Sequence, residues 1–150
     1  MADLHIDDFY RDVAKIFLRL YAVFPRKTVL YVEDISGPDQ PDEFGLHDPR
    51  FEACFSTLVW LAEQDYLRFD DTLGREGLDQ AVLTRHSFLL LSSRSSLPAL
   101  EEGDTQALPP SVSEELHTNV AHLRGAVKSA SSIRIRQCVS HLLSLAHIDA

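Results

Sequence analysis

Phe9, Val13, Ile16, Phe17, Leu20, Tyr21 and Phe24 recur at the 3.6-residue period and make one wide apolar stripe. Asp7 or Asp8 can cap the helix this stripe predicts, and Arg11, Lys15 and Arg19 fall on its opposite face. Pro25 cannot join the helical ladder and biases Phe24 away from helical angles, so the helix ends there. The period then changes. Residues 28–35, TVLYVEDI, are β-branched and aromatic and predict a short strand, with a short helix as the competing reading. Residues 36–47, with two Gly and two Pro, read as a loop.

Asp48-Pro49 joins a capping acid to a proline at the first helical position. The helix it opens is predicted to run to Asp65, with Phe51, Cys54, Phe55, Leu58, Val59, Leu61 and Ala62 on its apolar face. Tyr66 to Phe69 alternate as a strand. Residues 71–79 read as a turn, with Gly74 and Gly77 available for positive φ. Ala81 to Leu83 form the return strand, and Thr84 caps a short helix whose Phe88, Leu89 and Leu91 pack inward. Trp60, Phe55, Leu58 and Leu83 are expected to be buried together.

Residues 92–110 are rich in Ser, Pro and acids and read as a linker. Two helices are predicted beyond it. The first spans 111–128, with Val112, Leu116, Val120, Leu123 and Val127 on one face and a Ser111–Glu114 capping box. The second spans 131–146. Its stripe of Ile135, Val139, Leu142 and Ala146 is widened by Ile133, Cys138, Leu143 and Leu145 to more than half the circumference. Such a face must be covered, by the rest of the chain, a second copy or another protein.

The segment LVWLAEQDYLRFDD…AVLTRHSFLLL resembles the prokaryotic winged helix-turn-helix superfamily. Trp60-Leu61 stands where a recognition helix of that superfamily ends. Asp65-Tyr66-Leu67-Arg68 matches its Gly-Tyr-Ile-Arg-like strand. Leu83-Thr84 opens the next helix, with Ser87 in place of a glycine. Two departures accompany the likeness: the first helix of the helix-turn-helix is not evident, and the loop at 36–47 is long. The resemblance implies an α+β, mostly helical chain. It would hold a winged-helix domain at 5–91, a linker at 92–110 and a C-terminal helical interaction unit at 111–148.

Charge changes what such a domain is expected to do. The 150 residues are 45% hydrophobic, enough for a core, and carry a net charge of −9. Residues 1–91 hold 9 basic and 17 acidic side chains, whereas 117–150 hold Arg124, Lys128, Arg134 and Arg136 against Asp149 alone. An acidic body disfavours DNA and anionic membranes, whose affinity rests on Lys and Arg. The helix at 48–65 is expected to expose Arg50, Glu52, Ser56, Thr57, Glu63 and Gln64, a poor set for reading base edges. Arg75 at the wing is offset by Asp70, Asp71, Glu76 and Asp79. The candidate DNA contacts are therefore Arg50, Arg75 and Arg85, with solvated surface charge as the plainer reading.

No catalytic constellation is legible. Cys54 and Cys138 sit on apolar stripes and read as buried thiols. The seven histidines show no HxxxH or CxxC spacing, and His117 and His122 would point about 140° apart on a helix. Adjacent acids such as Asp70-Asp71 read as solvated surface. No metal or other cofactor is expected. No basic stretch followed by an apolar run marks a secretion signal, and no apolar run would span a bilayer, so a soluble cytoplasmic chain is expected. The functional expectation is a non-catalytic protein-interaction or accessory subunit of a prokaryotic complex. It would self-associate, as a homodimer, or dock on a protein partner through Ile135, Val139, Leu142 and Ala146. The alternative is a dimeric DNA-binding transcriptional regulator.

Overall fold

The computed structural model describes residues 4–96 and 117–145. It is an α+β arrangement, mostly helical, around a small antiparallel sheet. Helix α1 (Leu4–Val23) buries Val13, Ile16, Phe17 and Leu20 of the predicted stripe, together with Asp12 and Ala14, while Phe9 and Tyr21 are partly buried. Both readings of residues 28–35 hold in succession: strand β1 is Thr28–Tyr31 and helix α2 is Val32–Ser36. Helix α3 (Pro49–Glu63) begins as its signal predicts, with the Asp48 side chain accepting a hydrogen bond from the Arg50 N–H.

Strands β2 (Leu67–Arg68), β3 (Asp71–Thr72) and β4 (Gly77–Leu83) follow. The central β4 is longer than expected, because it pairs with all three other strands. The order is β1-β4-β2, with β3 also on β4. The expected turn at 71–79 shrinks to the four residues between β3 and β4. Pairings Thr28↔Ala81 and Leu30↔Leu78 leave Val29 opposite both Asp79 and Gln80, a bulge with Gln80 at a φ of 55°. Gly74 has the positive φ expected of it, but Gly77 does not. Gly77 is needed for close approach: a Cβ there would lie 2.7 Å from the Leu30 carbonyl oxygen.

Helix α4 (Arg85–Ser92) is capped by Thr84, whose side chain accepts from the Ser87 N–H. It turns Leu90 and Leu91 inward and leaves Leu89 exposed, contrary to expectation. The helix predicted over 111–128 is corrected at its start. Helix α5 (Asn119–Ser129) is capped by Thr118, whose extended backbone breaks any helix running through it. The Ser111–Glu114 pair lies outside the described residues. Helix α6 (Ser132–Leu145) matches its prediction closely.

The expected division into a domain and a separate helical unit gives way to one core. Ile135, Val139 and Leu142 are 4, 0 and 1% exposed within the single chain. They join α1 and α3 residues in one hydrophobic cluster that also takes in Val120, Leu123 and Ala126 of α5. The Tyr66 hydroxyl, buried between α1 and α6, donates to the Leu143 carbonyl at 3.4 Å. The start of the expected linker is also tied down: Ser95 N–H donates to the His117 carbonyl and Asn119 N–H to that of Ser93. The apolar face of α6 is thus covered by its own chain, chiefly by α1 and α5.

Candidate functional site

The outer face of α3 is where a winged-helix protein would be expected to meet a partner. Its geometry begins with Arg50. The guanidinium reaches back to α1 and donates two hydrogen bonds to the Asp12 carboxylate, at 2.7 and 2.6 Å. Asp8 adds a third contact at 3.5 Å. Asp12 is 1% exposed, so its charge depends on this fork. The hydrogen bond to Asp12 and the nearby carboxylates hold the Arg50 guanidinium above its already high ordinary pKa, against partial burial. Arg50 is therefore an internal clamp between α1 and α3, which corrects its expected place among the DNA contacts.

The face that α3 turns outward consists of Ala53, Ser56, Trp60, Glu63 and Gln64. Thr57 is buried instead of exposed, its hydroxyl donating to the Ala53 carbonyl. Trp60 is 37% exposed, not buried as expected, and Phe55 is only partly buried. The Trp60 indole meets Phe9 edge-on at 5.3 Å between ring centroids and lies 6.3 Å from Tyr66. A half-open aromatic seam thus runs from α1 to the end of α3, where Glu63 is also exposed.

The other two expected DNA contacts separate. Arg75, in the turn before β4, is exposed and faces Glu52 at 3.7 Å. Arg85 lies elsewhere, at the base of the hairpin. There it lines an open groove of about 530 Å³ with Asp65, Arg68, Thr84, His86 and Leu89. The structure does not bring Arg50, Arg75 and Arg85 into one surface. Of the interface stripe, Ile135, Val139 and Leu142 are interior, and Ala146 lies outside the described residues.

Several features escaped the sequence. The loop before α3 is built on Asp42, whose carboxylate accepts from the N–H groups of Phe44 and Leu46, each at 2.9 Å. Both side chains point to solvent, Phe44 at 79% exposure. The same loop is fastened by His47, whose ring bonds Asp39 and stacks on Phe51. That hydrogen bond raises the His47 pKa, against partial desolvation. Burial works to raise Asp39, but the bonds from His47 and the Asp48 N–H outweigh it and leave Asp39 lowered.

His117 precedes the helix rather than joining it, so its ring comes within 6.3 Å of His122 instead of pointing away. Burial, then the neighbouring His117 and His141, lower the His122 pKa. Burial pushes the Cys54 thiol up to about 12, so it stays protonated at neutral pH. Among the described residues no group of three or more His, Cys, Asp or Glu is arranged to hold a metal ion. Nor is any described helix long and apolar enough to cross a membrane. One signal was available in advance: Asp12 falls on the apolar side of α1, and an acid there asks for a partner. No family model, curated protein or solved structure matches the chain.

Proposed function

We propose that the chain is a non-catalytic protein-interaction module of winged-helix type, and that the outer face of α3 meets its partner. The observation that carries this reading is the Arg50–Asp12 fork, which removes the one cation α3 could offer to a phosphate. What remains outward is Trp60 among Ala53, Ser56, Glu63 and Gln64, an aromatic with a carboxylate on its own face. A partly exposed Trp is a common anchor of protein contacts, and the Glu63 carboxylate on the same face disfavours DNA. The exposed Phe44 and Leu46 next to Asp42 and Glu43 offer a second apolar and acidic feature of the same kind. The element order α1-β1-α2-α3-β2-β3-β4 and the strand order β1-β4-β2, with β3 also on β4, support the winged-helix part of the reading. The partner is another protein or a second copy of this chain, but it is not met through Ile135, Val139 and Leu142.

A photo-crosslinking residue in place of Ser56 tests this in cells. The expected result is a discrete, protease-sensitive adduct that disappears when Trp60→Ala is added. An adduct removed by nuclease instead would assign α3 to DNA, the reading of a transcriptional regulator. Light scattering then tells a second copy from a different protein.

A further inference from the structure

The groove at the base of the hairpin has a composition that the α3 reading does not use. Arg68 enters it from β2, and Arg85 and His86 enter from the first turn of α4. Elsewhere in this acidic chain, Arg11, Arg19, Arg50 and Arg75 face carboxylates, and Arg124 and Arg136 lie over tyrosine rings. Arg68 and Arg85, like Arg26, Arg94 and Arg134, have neither kind of partner among the described residues, and of these five Arg68 and Arg85 line one groove. Asp65 lines the same groove without forming an ion pair with either. The Nε2 atom of His86 is buried and has no hydrogen-bond partner.

The Thr84 hydroxyl donates to the Asp65 carbonyl at 2.9 Å, and the Thr84 N–H donates to the Tyr66 carbonyl. The base of the hairpin and the start of α4 are thereby locked together, so Arg68 and Arg85 project from a rigid frame. The Thr84 side chain serves the Ser87 N–H, which leaves the N–H groups of Arg85 and His86 without an acceptor. These donors add to the guanidiniums in favouring negative charge. Leu89, 53% exposed, supplies an apolar flank.

We infer that this groove binds a small oxyanion, a carboxylate or a phosphate, carried on an apolar body. The two guanidiniums take the oxyanion, since their planar forks suit either group. The apolar body lies on Leu89. Asp65, on the same wall, repels a second negative group and so restricts the ligand to one charged head. This inference stands apart from the reading of α3, because none of these residues lies on the outer face of that helix.

A titration of the whole chain followed by amide chemical shifts tests it, with phenyl phosphate and phenylacetate as separate probes at constant ionic strength. Saturable shifts at Arg68, Arg85, His86 and Leu89 are expected with at least one probe. The probe that saturates at lower concentration assigns phosphate or carboxylate. Arg68→Gln and Arg85→Gln should each weaken binding by about tenfold or more, the scale of losing a charged hydrogen-bond donor. Arg85→Lys, which keeps the charge and loses the fork, should fall between. Spectral dispersion shows that each variant is folded. No saturable shift with either probe at millimolar concentration, or affinity unchanged in both Gln variants, overturns the inference.

Discussion

Helix α1 grips the helices on its two sides by different chemistry. Toward α3 it offers carboxylates: Asp12 and Asp8 hold Arg50. Toward α5 and α6 it offers rings, with Arg124 of α5 5.7 Å above Tyr21 and Arg136 of α6 5.4 Å above Tyr10. The described part of the C-terminal pair, 117–145, contains no Asp or Glu at all. Its arginines are satisfied in part by π faces and stay largely in water, while Arg50 is drawn inward by a buried acid. A cation on an exposed helix face therefore does not report its role by itself. The element it lies against decides whether its charge is spent inside the fold or left for a partner.

The largest effect should come from the shared core. Leu142→Ala should cost about 2–5 kcal/mol in chemical denaturation, because Leu142 is interior to the whole chain. A single transition is expected, with α3 and α6 reporting together. If α6 were a separate unit, the transition would split and the α1–α3 half would hardly move.

Next comes the carboxylate grip. Arg50→Ala should cost about 1.5–3 kcal/mol, the range for a hydrogen bond to a charged group. It should cost more than Asp12→Ala, because it strands a buried carboxylate, whereas Asp12→Ala leaves a guanidinium that water can reach. Equal costs would mean that Asp12 is better solvated than its burial indicates. The ring grip should be weaker: Arg124→Gln and Arg136→Gln should each cost about 0.5–1 kcal/mol, as exposed cation–π contacts do. A loss as large as that of Arg50→Ala would erase the contrast between the two sides of α1.

The smallest effect is local and depends on pH. The pKa of His47 is raised, so its bond to Asp39 contributes fully below the ordinary imidazole value of 6.5 and fades as pH rises through the raised value. The pKa of Asp39 is lowered, so its share is present above 3.8 and fades as pH falls through the lowered value. Protection factors for residues 37–48 should therefore be highest between those limits. His47→Gln should flatten the alkaline side of that profile, and a profile unchanged by the substitution would remove His47 as the fastening of the loop.

Much of the fold was legible because each helix carries its own local code. The α1 stripe, the Asp48-Pro49 start and the Thr84 cap all appear where the residues place them. What was not legible depends on chain segments meeting. Arg50 and Asp12 are 38 residues apart, so neither local period nor spacing pairs them. Covering α6 required α1 to serve two neighbours. Its stripe, wide enough to run from Phe9 through Tyr21, held that information, but a width does not name its partners. The groove escaped for the same reason, since Arg68 and Arg85 become neighbours only when β2 pairs with the end of β4. Trp60 stays partly open because a helix ending at a sheet edge leaves its last turn half uncovered, which its apolar neighbours in the sequence do not reveal.

The claim that Arg50 is spent inside the fold is tested most directly by a double-mutant cycle. Stability would be measured by chemical denaturation for the wild type, Arg50→Ala, Asp12→Ala and the double variant. A coupling energy of about 1.5–3 kcal/mol is predicted, with the double variant little worse than Arg50→Ala alone. Costs that add to within about 0.5 kcal/mol would contradict the clamp and return Arg50 to the charges that α3 presents to a partner.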